Sequence, residues 1–135
     1  MAETALLLPL LLLLMLGVEE LGRLTYTGIV TENAAHAGAL YGAESSVNAV
    51  DNTGMVSQAL GAGKELSSLT ASATHACTCA NGASAPGCSL GECVGSRLLV
   101  YAQVNTSAVF TPICGLLGWP GPITLHAQAD IRARP

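Results

Sequence analysis

The sequence predicts an α+β fold: a long N-terminal membrane-anchoring helix packed on a small three-stranded antiparallel sheet and stapled by disulfides. Three features carry that prediction. Residues 6–16 read LLLPLLLLLML, and residues 20–50 behind them are rich in Ala and free of Pro. The C-terminal third alternates apolar and polar residues, the signature of strands with one buried face. Four cysteines fall within the seventeen residues from Cys77 to Cys93. The chain accordingly divides into residues 1–22, the transmembrane half of the helix, residues 23–50, its extramembrane continuation, and residues 51–135, a small β domain with a cysteine-rich loop.

The anchor comes first. Leu6, Leu7, Leu8, Leu10, Leu11, Leu12, Leu13, Leu14 and Leu16 supply nine leucines in eleven positions. The fifteen residues from Thr4 to Val18 are uncharged. As a helix they extend about 22 Å, against a hydrocarbon core of about 30 Å. Pro9 sits inside the run and is expected to kink the helix, which a lipid-embedded helix tolerates. A secretory signal has a similar apolar core, but it needs a basic start and a small-x-small cleavage site. Neither is present here: the run is followed by Val18-Glu19-Glu20-Leu21-Gly22-Arg23. The expectation is an uncleaved anchor. Glu3, a carboxylate at the lipid edge, has two readings. It is a helix-start acid favoured by the helix dipole, or it meets an amino terminus, its own or a neighbour's, inside the membrane.

Beyond the anchor, Leu21, Leu24, Gly28, Ala35 and Ala39 recur near helical spacing and extend the helix to about Val47. Gly38 and Gly42 form a GxxxG pair outside any apolar 20-mer, so the pair is read as close packing of a sheet across the helix. Asp51-Asn52-Thr53-Gly54 caps a short helix over Met55–Leu60, stopped by Gly61-Ala62-Gly63. Alternation from Leu66 through Ala71, Ala73 and Ala76 marks a weak strand towards Cys79. The segment 80–96, with four Gly and one Pro, is a loop. Leu98–Phe110 is the strongest strand. In the last strand Ile123, Leu125, Ala127, Ala129 and Ile131 share one face, expected to lie on the long helix, while Thr124, His126, Gln128, Asp130 and Arg132 face water.

Cys77, Cys79, Cys88 and Cys93 are disulfide candidates, and Cys114 is left unpaired or pairs across subunits. Zinc is the competing chemistry, since C-x-C in a strand puts both sulfurs on one face and His75 shares it. Disulfides are favoured because an anchor places the domain in an oxidising compartment and a domain with 4% aromatics has a weak core. A direct Cys77–Cys79 bond would be strained. Each pairs more easily with Cys88 or Cys93, and the sequence does not choose between them.

Composition excludes other classes. The chain of 135 residues is 10% charged with a net charge of −4. Its five positive residues, Arg23, Lys64, Arg97, Arg132 and Arg134, are scattered, so no basic patch is expected and nucleic acid is excluded as a partner. Gly61-Ala62-Gly63-Lys64 lacks the first glycine and the following hydroxyl of a phosphate loop. His36, His75 and His126 fall on different elements, and Asn105-Thr106-Ser107, though it fits a glycosylation acceptor, lies mid-strand. No catalytic constellation is present, so no enzyme activity, cofactor, metal or small-molecule substrate is expected.

An acid near the start, a leucine-rich anchor, a long helix and a small sheet together resemble a pilin-like protein. In detail the chain resembles the TadE-like family, minor pilin-like components of the bacterial tight-adherence pilus system. Glu3-Thr4-Ala5-Leu6-Leu7-Leu8-Pro9-Leu10-Leu11-Leu12 resembles the family's E-F-A-L-V-L-P-L-L-L opening. Glu20-Leu21-Gly22-Arg23 resembles its E-F-G-R, and Asn33 to Tyr41 its N-A-A-R-E-G-A-R-Y, with His36 and Ala37 in place of Arg-Glu. The cysteine segment, the strand from Val104 to Phe110 with Pro112, and Ile131-Arg132 also fit. The resemblance implies that Glu3 accepts the amine of an adjacent subunit in the membrane. It implies pilin-like subunits, an assembly platform and membrane lipid as partners. It also implies a single-pass protein of the bacterial cytoplasmic membrane with its bulk outside. Relatives carry a basic leader and a Gly cut by a prepilin peptidase. Only Met1 and Ala2 precede Glu3 here, and the expectation is a true start further upstream. The alternative function is a membrane-anchored, disulfide-stapled binding module unrelated to pili.

Overall fold

The computed structural model describes residues 2–113 and 121–134, with side chains from Leu7 onward. Helix α1 (Ala2–Ala43) is continuous through Pro9 and, at 42 residues, about 63 Å long. Two short helices follow, α2 (Ser46–Val50) and α3 (Asn52–Ala62). Strands β1 (Thr70–Cys79), β2 (Leu98–Phe110) and β3 (Ile123–Arg132) form one antiparallel sheet in the order β1-β2-β3. A single 3-10 turn, Leu90–Glu92, interrupts the cysteine-rich loop.

Register decides which residues face inward. Ala73 pairs with Val104 and Val104 with Ala129, while Cys79 meets Leu98 and Phe110 meets Ile123. Because side chains alternate, Ala102, Val104, Thr106, Ala108 and Phe110 share the buried face of β2. The predicted apolar face of β3 points the same way, with Thr124, His126, Gln128, Asp130 and Arg132 exposed opposite it. Helix α1 lies along the buried face and runs antiparallel to β2: Gly42 sits over Ala102, Gly38 over Val104, and Thr31 beside Thr106. The core at this contact is Ala35, Ala39, Met55, Ala59, Ala102, Val104 and Ala129. Side chains this small let backbone approach backbone, so dispersion between close-packed atoms stands in for the missing aromatics.

The glycine pair does what its spacing predicted. A Cβ on Gly42 would stand 2.5 Å from the Ala102 Cβ and 2.6 Å from the Met55 Sδ, and one on Gly38 2.7 Å from the Met55 carbonyl oxygen. Ala35 and Ala39 are buried as the spacing predicted, but the N-terminal part of the inward stripe departs from the hydrophobic reading. Leu21 is exposed, and the stripe is carried by Glu20, Thr27 and Thr31. The threonines are buried at little cost because each hydroxyl donates to a carbonyl one turn back, Thr27 to Arg23 at 2.9 Å and Thr31 to Thr27 at 2.7 Å. The Thr106 hydroxyl then donates to the Thr31 carbonyl at 2.8 Å, joining strand to helix inside the core.

Three boundaries differ from expectation. Helix α3 runs Asn52–Ala62 rather than Met55–Leu60, passing through Gly61 to its cap at Gly63. Helix α1 stops at Ala43, short of Val47, because Ser45 takes up extended backbone and its hydroxyl accepts from the Asn48 amide at 3.1 Å, starting α2 afresh. Strand β1 begins at Thr70 rather than Leu66, since consecutive turns bond Leu66 to Gly63 and Leu69 to Leu66. The α3 cap is as predicted: Asp51 accepts from the Gly54 amide at 2.9 Å and from the Tyr41 hydroxyl at 2.9 Å. The Gly54 amide first, and the Tyr41 hydroxyl second, hold the Asp51 carboxyl below its ordinary range, and the same bond raises Tyr41.

Two outcomes follow from this packing. Gly42→Ala should destabilise the chain by about 1–3 kcal/mol through overpacking. Gly28→Ala, with nothing within 4 Å of the added Cβ, should gain about 1 kcal/mol of helix propensity. Urea midpoints of the full chain in detergent check both. Since the folded-state pKa of Asp51 is depressed, its contribution is full above the unfolded carboxylate value of about 4 and disappears as pH falls through the folded value. Melting temperature against pH should therefore be flatter in acid for Asp51→Ala than for the parent.

Candidate functional site

The N-terminal end of α1 is a rod with no sheet beneath it. Every leucine from Leu7 to Leu16 is 41–64% exposed, and Met15 and Val18 stand out further. Leucine this exposed on all sides of a helix forgoes about 1.5–3 kcal/mol per side chain relative to burial. A contiguous apolar surface of that kind marks an interface with lipid or protein. Among the described residues no helix is long and apolar enough to cross a membrane. The uncharged stretch with described side chains starts at Leu7 and is closed by Glu19, Glu20 and Arg23. Glu3 and Leu6 lie in the backbone of α1, but their side chains fall outside the described residues, as does Cys114 altogether.

Where the rod meets the sheet a polar collar forms. Glu20 is only 6% exposed, and its Oε1 accepts from the Ile113 amide at 2.7 Å, just past the end of β2. Its Oε2 lies 3.5 Å from the Arg23 guanidinium, which stands 5.5 Å over the Phe110 ring. One helical turn thus fixes the departing end of β2 by a charge-assisted hydrogen bond and a cation–π contact. Sequence reasoning missed this. Glu20 and Arg23 counted there only as a flank without a cleavage site and as a family-like tetrapeptide. Their i, i+3 spacing was the available signal.

The cysteines lie at the opposite end. Cys77 is bonded to Cys88 and Cys79 to Cys93, which chooses between the two pairings that the sequence left open. Alternation sends both β1 sulfurs to the buried face, where Cys77, Cys79, Cys93 and Ala85 form a second small core with Leu98 and Val100 against it. Closing loops of 11 and 14 residues restrains the unfolded chain by about 3 kcal/mol per bridge. With all four sulfurs paired in disulfides, none is left as a thiolate to hold zinc.

The other singled-out residues do not converge. His36 is exposed on α1, His126 is exposed on the outer sheet face, and His75 sits 3.5 Å from the Asn52 side-chain oxygen. Gly61 to Lys64 is the end of α3, where Gly63 donates to the Ala59 carbonyl. A helix C-terminus repels the anion that a phosphate loop would hold. One expectation is overturned. The positive charges are less scattered in space than in sequence, for Arg97, Arg132 and Arg134 all line a single cleft, with Arg132 opposite Tyr101 across the β2–β3 ladder.

Comparison with known proteins gives one match: a family model described as TadE-like protein covers residues 1–40. The resemblance read from the opening blocks holds over those residues, which contain the leucine rod, Glu20, Arg23 and most of the inward stripe of α1. The sheet and the cysteine loop lie outside the match. Neither curated proteins nor solved structures gave a match.

Peptide mapping without reduction should recover Cys77 linked to Cys88 and Cys79 linked to Cys93, and no bound zinc should accompany protein purified without chelator. Glu20→Ala should destabilise the chain by about 1–3 kcal/mol, through loss of the charge-assisted hydrogen bond to the Ile113 amide, read from the urea midpoint.

Proposed function

We propose that this chain is a membrane-anchored, minor pilin-like component that acts in the assembly of a tight-adherence pilus. The family match over residues 1–40 supports a place in that pilus system. The observation that carries the reading is the rod: a helix whose leucines are exposed on every side, held out from a folded sheet domain by a polar collar at Glu20 and Arg23. In this reading the rod stores the subunit in the bilayer and the collar marks where the chain leaves it. The stapled sheet offers contact surface on the far side, where cysteines oxidise. The work is physical rather than catalytic. The partners are lipid, other pilin-like subunits and the assembly platform. Glu3 would accept a neighbouring subunit's amine within the membrane, where a charge pair is poorly screened and so sets register strongly.

Site-directed crosslinking in membranes tests this reading. Association with pilin-like subunits should fall at least tenfold for Glu3→Ala and recover in part for Glu3→Asp. Unchanged association would instead favour a binding module unrelated to pili. Alkaline carbonate extraction should leave the chain in the membrane pellet. Release of intact chain into the wash would overturn the anchoring role of the rod.

A further inference from the structure

At the end of the sheet remote from the leucine rod, a cleft of about 180 Å³ opens between the start of β2, the tail after β3 and the cysteine loop. Arg97, Arg132 and Arg134 line it together with Leu90, Leu98 and Val100. Three of the chain's five Lys and Arg residues therefore border one cleft on a protein of net charge −4. None of the three forms an ion pair with a described carboxylate. The nearby acids are turned to other partners: Glu44 accepts from the Asn48 amide group at 3.2 Å, Glu92 from the Gly87 amide at 3.1 Å, and Asp130 from Gln128 at 3.0 Å.

The backbone under these arginines is fixed. The Ala133 amide donates to the Val100 carbonyl at 2.8 Å, extending the sheet past β3. The Arg134 amide donates to the Ala43 carbonyl at 3.0 Å, satisfying one of the orphan acceptors at the end of α1. Guanidinium groups on a pinned backbone lose less freedom when they close on an anion. The walls between them are aliphatic, and Leu90 at the rim is 80% exposed. Among the described lining residues Ser46 supplies the one hydroxyl and none carries an aromatic ring. A neutral sugar would find no aromatic stacking platform among the described lining residues and no acceptor side chain apart from the Ser46 hydroxyl. A peptide bearing a carboxylate beside an aliphatic side chain matches both the charge and the walls.

We propose that this cleft docks an acidic segment of a partner protein, with the three arginines gripping its carboxylates and Leu90 and Leu99 taking an adjoining aliphatic side chain. The site does not depend on the leucine rod, so it and the anchoring reading fail separately. The test uses the full chain in nanodiscs and a fluorescein-labelled peptide, Leu-Asp-Leu-Glu-Leu, read by anisotropy. Binding should be at least tenfold tighter than for Leu-Asn-Leu-Gln-Leu and weaker for Gly-Asp-Gly-Glu-Gly. It should decline steeply as salt rises. Arg132→Gln with Arg134→Gln, and separately Arg97→Gln, should each weaken it at least fivefold, whereas Lys64→Gln, on an exposed turn outside the cleft, should not. Equal binding of the amide peptide, or indifference to both arginine variants, would overturn the proposal. So would displacement of the peptide by tetragalacturonate at lower concentration than by unlabelled peptide, which would make the ligand a glycan.

Discussion

Gly38 and Gly42 bring the backbone of α1 against Val104 and Ala102, and that close approach sets the geometry of everything around it. It lets Met55, a fully buried side chain on α3, reach under the helix. It brings the Thr31 carbonyl within reach of Thr106 and puts the end of α1 beside the tail that follows β3. Larger residues on the stripe would lift the helix from the sheet and break these contacts together, because a close-packed interface has no slack to take up. An alanine core gives each residue little hydrophobic area. Shortness of contact, buried hydroxyl-to-carbonyl bonds and two covalent bridges compensate for it.

The two ends of the molecule are built for different surroundings. At one end leucine faces outward in every direction and no charged residue falls between Thr4 and Val18. At the other, the cysteine loop is stapled to β1 and arginines gather around a small apolar cleft. Between them the outer face of the sheet carries Ser, Thr, Asn and Gln, with links such as the 2.8 Å contact between the Thr70 and Ser107 hydroxyls. Such a face is wetted without being sticky, which suits a domain presented in water by one end alone. In the proposed pilus role this polarity along the long axis gives a subunit one end for storage and one for contact.

Much of the architecture was legible in the sequence, for identifiable reasons. Strands β2 and β3 were readable because one apolar face against one polar face leaves a period of two, and their ends came out at Leu98, Phe110, Ile123 and Arg132. The function of Gly38 and Gly42 followed from their falling outside the apolar run. The inward stripe of α1 was misread in part because a threonine that bonds its own helix is polar by composition and apolar by behaviour, so hydropathy cannot show Thr27 or Thr31. The disulfide pairing needed the loop path through the turn at Leu90–Glu92. The arginine cleft needed the fold, since the β2–β3 register sets Arg132 opposite Tyr101, on the same end of the sheet as Arg97. The Glu20 collar depended on a contact between residues 93 positions apart.

Both disulfides close within the stretch from Cys77 to Cys93, and neither touches α1. The long helix is therefore moored to its sheet by dispersion and hydrogen bonds alone. Traction along the rod would load Glu20, Thr31 and the glycine seam in shear, one after another along the axis, while the oxidised tip bore none of it. The molecule is mechanically graded: covalently stiff where it reaches outward, and able to slip or yield where it would be hauled.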